Sequence, residues 1–204
     1  MKAYLKETPA RGGVLRDIPV PVPGEGEVLI KVKATAICGT DIHIHEWNAW
    51  AQGAVKNLPI VMGHEFSGEV VDLGPGVKDL KKGDYVSGET HIPCGRCYQC
   101  RNGQQHICAN LLLPGVHRNG SFAEYIAYPE LCSVKMPRSI APEYGAVMEP
   151  LGVGVNAVME GHVGGSNIAV VGCGPIGIGM IAVVEAEEVE AIVFIGGSGA
   201  MDCL

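Results

Sequence analysis

Two groups of residues in this sequence have the types and spacing to hold a metal, and they imply different chemistry. The first is the stretch Cys38-Gly39-Thr40-Asp41-Ile42-His43, followed one hairpin later by Gly63-His64-Glu65. A thiolate, an imidazole and a carboxylate are the donors of a catalytic zinc, and three protein donors leave a fourth position open for water or substrate. The second group is Cys94, Cys97, Cys100 and Cys108, a C-x2-C-x2-C-x7-C run among Gly, Arg, Asn and Gln. Four thiolates so close can complete a tetrahedral zinc site with no open position, hence a structural one. An iron–sulfur cluster takes the same four ligands. A zinc ribbon for nucleic acid is disfavoured by a formal charge of −7 without any basic block.

A third motif has a different target. Asn167 to Val171 reads as a buried strand, followed at once by Gly172-Cys173-Gly174-Pro175-Ile176-Gly177 and an apolar helix to about Glu188. Strand, glycine turn and helix in that order are the context of a dinucleotide fingerprint, in which backbone N–H groups approach a pyrophosphate at the helix's positive end. A glycine-rich packing turn reads the same way. Ala191 to Ile195 would be the next parallel strand. Beyond it, where an NAD site places Asp or Glu to hold the ribose, the residues are Gly196-Gly197-Ser198-Gly199. The missing acid counts against NAD binding by this chain alone.

The elements that must position these groups are mostly strands. With 47% hydrophobic residues in 204 the chain can bury a core, and 29 glycines with 13 prolines favour tight turns and short strands. Val28 to Ala34, Phe66 to Leu73, Tyr85-Val86, Gly120 to Tyr128 and Cys132 to Met136 suit a small closed antiparallel barrel. Cys38 is expected in a loop just beyond a strand end. From Ala141 to Met159 the pattern predicts two helical pieces separated by Pro150. The expected division is residues 1–150, β-rich with a metal lobe at about 91–110, and residues 151–204, one βαβ unit of a doubly wound sheet. The first residues lack the apolar core of a signal peptide, so a cytoplasmic location is expected, where tightly spaced cysteines suggest metal over disulfides. The uncharged run Ile168 to Val184 is shorter than the ~20 residues that span a bilayer and contains Pro175. No membrane span is expected.

The stretch Cys38 to Gln52 (CGTDIHIHEWNAWAQ), Gly63 to Phe66 (GHEF), Ser87 to Cys97 (SGETHIPCGRC), Glu149-Pro150-Leu151 and the glycine turn resemble the zinc-dependent medium-chain dehydrogenase/reductase superfamily. Within it the chain is most similar to the L-threonine 3-dehydrogenase family, in register from about Met1 to Ala182. The resemblance implies a GroES-like barrel domain with a zinc lobe, then the start of a Rossmann domain. It implies a catalytic zinc on Cys38, His64 and Glu65, with Glu149 a nearby acid. Thr40 and His43 would carry the substrate proton to solvent, and Cys94, Cys97, Cys100 and Cys108 would hold a structural zinc. Gly172, Gly174, Pro175, Ile176 and Gly177 would form the NAD turn.

The implied cofactors are two zinc ions per chain and NAD, and the implied reaction is oxidation of a secondary alcohol. For L-threonine the product is 2-amino-3-oxobutanoate; polyol and butanediol dehydrogenases share the same metal and relay. The implied partner is a small-molecule substrate, with tetramers expected from the family and neither nucleic acid nor membrane involved. Family members are longer, so the chain is expected to be a C-terminally truncated fragment, with an inactive zinc-binding remnant as the alternative. His91 is a weaker candidate for shaping the substrate pocket. His45, His106, His117, His162, Cys132, Cys173 and Cys203 carry no functional expectation.

Overall fold

The computed structural model describes residues 1–185 and 191–195. The segment Gly196 to Gly199, the tail after it and Cys203 lie outside the described residues. The chain divides into two compact units, Met1–Val147 and Met148–Leu204.

The first unit contains β1 (Lys2–Lys6), β2 (Val14–Asp17), β3 (Glu27–Ala36), α1 (Gly39–Glu46), α2 (Ala49–Ala54) and β4 (Ile60–Val61). It continues with β5 (Glu65–Leu73), β6 (Tyr85–Gly88), α3 (Tyr98–Arg101), β7 (Tyr125–Pro129), β8 (Ser133–Lys135) and α4 (Pro142–Ala146). The strands form a five-stranded sheet in the order β7-β3-β5-β6-β8 and a three-stranded sheet β2-β1-β4, with an antiparallel bridge between Ala3 and Ala123. Branched and aromatic side chains from the larger sheet make its core: Val28, Ile30, Phe66, Val70, Val86 and Tyr128. Phe66 meets Tyr128 edge to face, centroids 5.0 Å apart, the arrangement ring quadrupoles favour. A second cluster, including Ile44, Ala51, Val55 and Met62, seats the two helices that follow β3.

Several local expectations are corrected. Cys38 lies as expected just beyond the end of β3, and there it is also the N-cap of α1, because the Asp41 carboxylate accepts the Cys38 N–H at 2.9 Å, one half of a capping box. The polar and aromatic run after it is also partly helical, since Asn48 caps α2 by accepting the Ala51 N–H at 3.0 Å. The strand expected from Gly120 begins only at Tyr125. The N–H groups of Gly120 and Ser121 are committed instead to Val61 and Gly63 carbonyls.

The second unit contains α5 (Met148–Gly161), β9 (Asn167–Val171), α6 (Pro175–Val184) and β10 (Ala191–Ile195). Pro150 does not separate one helix from another. It sits in the first turn of α5, where no intrahelical N–H bond is lost, and the break falls at Val147. β9 and β10 pair in parallel from Asn167 opposite Ala191 to Val171 opposite Ile195. α6 spans Pro175–Val184, and Glu188, where the helix was expected to end, lies outside the described residues. A Cβ on Gly154 would lie 2.9 Å from the Met180 nitrogen, so this glycine lets α5 and α6 approach backbone to backbone. Among the described residues no helix is long and apolar enough to cross a membrane.

Candidate metal centres

Sheet pairing assembles the first centre. Ala36, the last residue of β3, lies opposite Glu65, the first of β5, and the Thr35 hydroxyl donates to the Glu65 carbonyl at 2.8 Å. The chain leaving β3 through Cys38 and the chain entering β5 through His64 are therefore neighbours by register. Ligand atoms of Cys38, His64 and Glu65 all lie within 4.8 Å of one another, with His64 and Glu65 buried.

Asp41 joins the two segments. It is buried, its Oδ2 accepts the Cys38 N–H at 2.9 Å and its Oδ1 accepts the Gly63 N–H at 3.1 Å. The same Oδ1 lies 3.7 Å from Nδ1 of His64. One carboxylate thus fixes the backbone on both sides of the ligand set and faces the ring of one ligand. Sequence reasoning passed over Asp41; its place three residues after a helix cap was the available signal. Gly63 adds a second constraint, with φ +89° and a position where a Cβ would lie 2.3 Å from the Phe122 ring.

The electrostatics follow from these contacts. Burial raises the Asp41 pKa, against His64 and the two N–H groups, which pull it down. The Cys38 thiol is held below its ordinary value, first by its hydrogen bond with His64 and then by the Thr40 N–H and hydroxyl, against the effect of burial. A thiol biased toward thiolate beside a buried imidazole and carboxylate fits a zinc ion held by three protein ligands.

Thr40 and His43 lie three residues apart on α1, the spacing that puts two side chains on one helix face. His43 is exposed, with Nδ1 2.9 Å from Nδ2 of Asn48 and its ring centroid 6.0 Å from that of Trp50. Glu149 stands in the other unit, in the first turn of α5. His91 is paired with Glu89, Nδ1 to Oε1 at 2.6 Å.

Short turns, not strands, build the second centre. Cys97 caps α3, and Gly95 and Gly103 take positive φ on either side of that helix. The Cys97 sulfur lies 3.4 Å from that of Cys100 and 3.8 Å from that of Cys108, and all four sulfurs lie within 4.8 Å of one another. Zinc bonds of about 2.3 Å in a tetrahedron set neighbouring sulfurs about 3.8 Å apart. Sulfurs this close surround one ion and leave no room for a cluster of irons. Backbone N–H groups point at them: those of Cys94 and Asn110 each reach the Cys108 sulfur at 3.3 Å. The N–H groups of Arg96 and Cys97 hold Cys94 down at about 6. Those of Cys100 and Ala109 also lower Cys97, while burial and the adjacent thiols push Cys100 up to about 12. A pocket that already favours thiolate at two of its four positions fits a structural zinc.

The glycine turn belongs to the second unit. Gly172 has φ +100°, and a Cβ on Gly177 would lie 1.9 Å from the Gly172 carbonyl oxygen, so both positions require glycine. Gly174 precedes Pro175 at the start of α6, and a cavity of about 340 Å³ is lined by Gly172, Gly174, Pro175, Ile176, Gly177 and Met180 among others. The open N–H groups of that helix start suit an anionic group.

Known proteins resemble this chain in sequence and in fold. The L-threonine 3-dehydrogenase of Pyrococcus abyssi is 51% identical over 193 residues, 95% of this chain and 55% of the relative. Among solved structures, galactitol-1-phosphate dehydrogenase from Escherichia coli matches all of this chain and 58% of its own, with a TM-score of 0.89 and 29% identity. An alcohol dehydrogenase from E. coli complexed with NADH covers 97% of this chain and 63% of its own, with a TM-score of 0.83 and 30% identity. The chain spans about half the length of the curated relatives it matches. The alcohol dehydrogenase GroES-like domain matches residues 24–138. By that match, over more than half its length and across both metal centres, the chain belongs to the GroES-like alcohol dehydrogenase family.

Proposed function

We propose that this chain supplies the metal-binding half of an NAD-dependent dehydrogenase that oxidises a secondary alcohol, with L-threonine as substrate and 2-amino-3-oxobutanoate as product. One observation carries the reading: a sulfur, an imidazole and a carboxylate converge within 4.8 Å at the start of a helix that also bears Thr40 and His43. Cys38, His64 and Glu65 would hold the catalytic zinc, and Cys94, Cys97, Cys100 and Cys108 the structural one. Bound at the first centre, zinc supplies Lewis acidity that lowers the pKa of a substrate hydroxyl. NAD supplies the hydride acceptor, and its pyrophosphate would rest on Gly172, Gly174, Pro175, Ile176 and Gly177.

The chain's own residues handle the proton. The Thr40 hydroxyl, next to the Cys38 sulfur, takes the substrate hydroxyl proton as it passes its own toward His43. Exposure of His43 lets the imidazole return that proton to water. Glu149 would approach the metal site as a second acid from α5. The parallel pair β9 and β10 with α6 between them would be the opening unit of a Rossmann domain, placing the functional boundary near residues 150/151. A small-molecule substrate, a tetrameric assembly and a cytoplasmic setting complete the reading. The choice of threonine over a polyol or butanediol is supported by the 51% identity to a threonine dehydrogenase.

A second reading, a zinc-binding chain without turnover, is favoured by the apolar faces of the β9–β10 pair, where Val171 is 76% and Val193 55% exposed. Both readings are tested by assaying this chain alone and fused to the remaining length of the P. abyssi relative. The expected result is threonine-dependent NADH formation by the fusion, faster than with sorbitol or butanediol and lost in Cys38→Ser. A fusion that carries zinc yet prefers a polyol, or reduces no NAD, would overturn the proposal.

A further inference from the structure

The four-cysteine loop has both of its ends against the segment that presents His64. On the way out of the loop, the N–H groups of Gly120, Ser121 and Phe122 donate to the carbonyls of Val61, Gly63 and Met62 at 2.8, 3.0 and 2.8 Å. Backbone meets backbone there, since a Cβ on Gly120 would lie 1.9 Å from the Gly63 carbonyl oxygen. On the way in, the buried Thr90 hydroxyl donates to the His64 carbonyl itself at 3.3 Å. Between these ends Ile92 and Leu112 exchange two hydrogen bonds, each N–H reaching the other's carbonyl at 3.1 Å. All four cysteines lie inside that closure.

Thr90 therefore sits between two kinds of support. Its neighbour Glu89 is fixed by the core, where the Tyr128 hydroxyl donates to the Glu89 carbonyl at 2.7 Å and the Glu89 N–H reaches the Cys132 carbonyl at 2.8 Å. On its other side stands the Ile92–Leu112 closure. Closing a loop that can otherwise fluctuate costs entropy, and an ion on the four sulfurs removes most of that freedom beforehand.

We propose that Thr90 is a positioning residue that couples the two centres: with metal held by the four cysteines, its hydroxyl keeps the His64 carbonyl in place and so sets the imidazole for the first centre. The inference rests on the proposed assignment of the two zinc centres, but its backbone half exists in a chain whose first centre is empty. The two ideas can therefore fail separately.

The test uses this full chain with Cys38→Ser, so that zinc fills the four-cysteine loop alone, and follows amide exchange across residues 61–66 by mass spectrometry. Zinc is expected to slow exchange there by roughly fivefold. The slowing should persist with an added Thr90→Ser, which keeps the hydroxyl, and vanish with Thr90→Val, or with Thr90→Ala should the valine chain not fold. Equal exchange with and without zinc, or slowing undiminished when the hydroxyl is gone, would overturn the proposal. With Cys38 restored, Cys97→Ser should weaken zinc at the first centre by roughly fivefold in chelator competition, and Thr90→Val should remove that dependence. If zinc slows exchange as expected while the chain with Cys38 takes up no second zinc, the assignment of the first centre fails and the coupling through Thr90 stands.

Discussion

At Cys38, His64 and Glu65 the ligands arrive from chain segments that β3–β5 pairing brings together, whereas Cys94, Cys97, Cys100 and Cys108 all lie on one loop closed by turns. The first centre has buried surroundings and a carboxylate clamp in Asp41. The loop from Cys94 to Cys108 is mostly exposed apart from two of its cysteines. The difference is one of where the ordering energy comes from. A centre made by sheet register is organised before metal arrives, while a loop with so little buried surface would take its order from the proposed metal–sulfur bonds.

Removing metal should therefore produce the largest contrast. With a strong chelator, amide exchange between Cys94 and Cys108 should speed up by roughly a thousandfold or more, while β3 and β5 keep most of their protection. Hydrogen exchange read by mass spectrometry checks this, and equal loss in both regions would erase the distinction.

Gly63→Ala attacks only the register-built centre. A side chain at φ +89° that also strikes the Phe122 ring should destabilise the first unit by about 2–4 kcal/mol, read by urea unfolding, with the four-cysteine zinc retained. Asp41→Asn leaves the volume unchanged but weakens the clamp. Zinc affinity at Cys38, His64 and Glu65 should fall about 10–100-fold by chelator competition, with no change at the cysteine lobe.

The smallest effect belongs to a turn outside both centres. Against the effect of burial, the N–H groups of Leu80, Lys78 and Asp79 hold the Glu130 carboxyl below the usual carboxylate range. Its folded pKa is lowered, so the stabilisation is full above the unfolded value of about 4.3 and is lost as pH falls through the folded value. Glu130→Gln should cost roughly 1 kcal/mol at neutral pH and flatten that acid dependence, as followed by thermal melts across pH.

Much of this was legible in the sequence because the chemistry is carried by residues close together in the chain. Four cysteines within one loop and a glycine turn between strand and helix need no knowledge of tertiary contacts. The family resemblance to threonine dehydrogenases, read from stretches such as Cys38 to Gln52, is borne out by the homologues. Asp41 was missed because its work depends on the β3–β5 register, which brings Gly63 within reach of a helix-capping carboxylate. Asn48 was missed for a similar reason: its pairing with His43 requires the left-handed turn at Trp47, a conformation not signalled by a tryptophan. Pro150 misled because a proline ends a helix in its interior but suits its first turn, and spacing alone does not tell the two apart.

The central claim is that this chain holds two zinc ions by two different means, and zinc analysis of the purified protein tests it most directly. The expected content is close to two zinc per chain, one for each ligand group, falling to one in Cys38→Ser and to one in Cys97→Ser. A parent protein with a single zinc that is lost only in Cys97→Ser would contradict it.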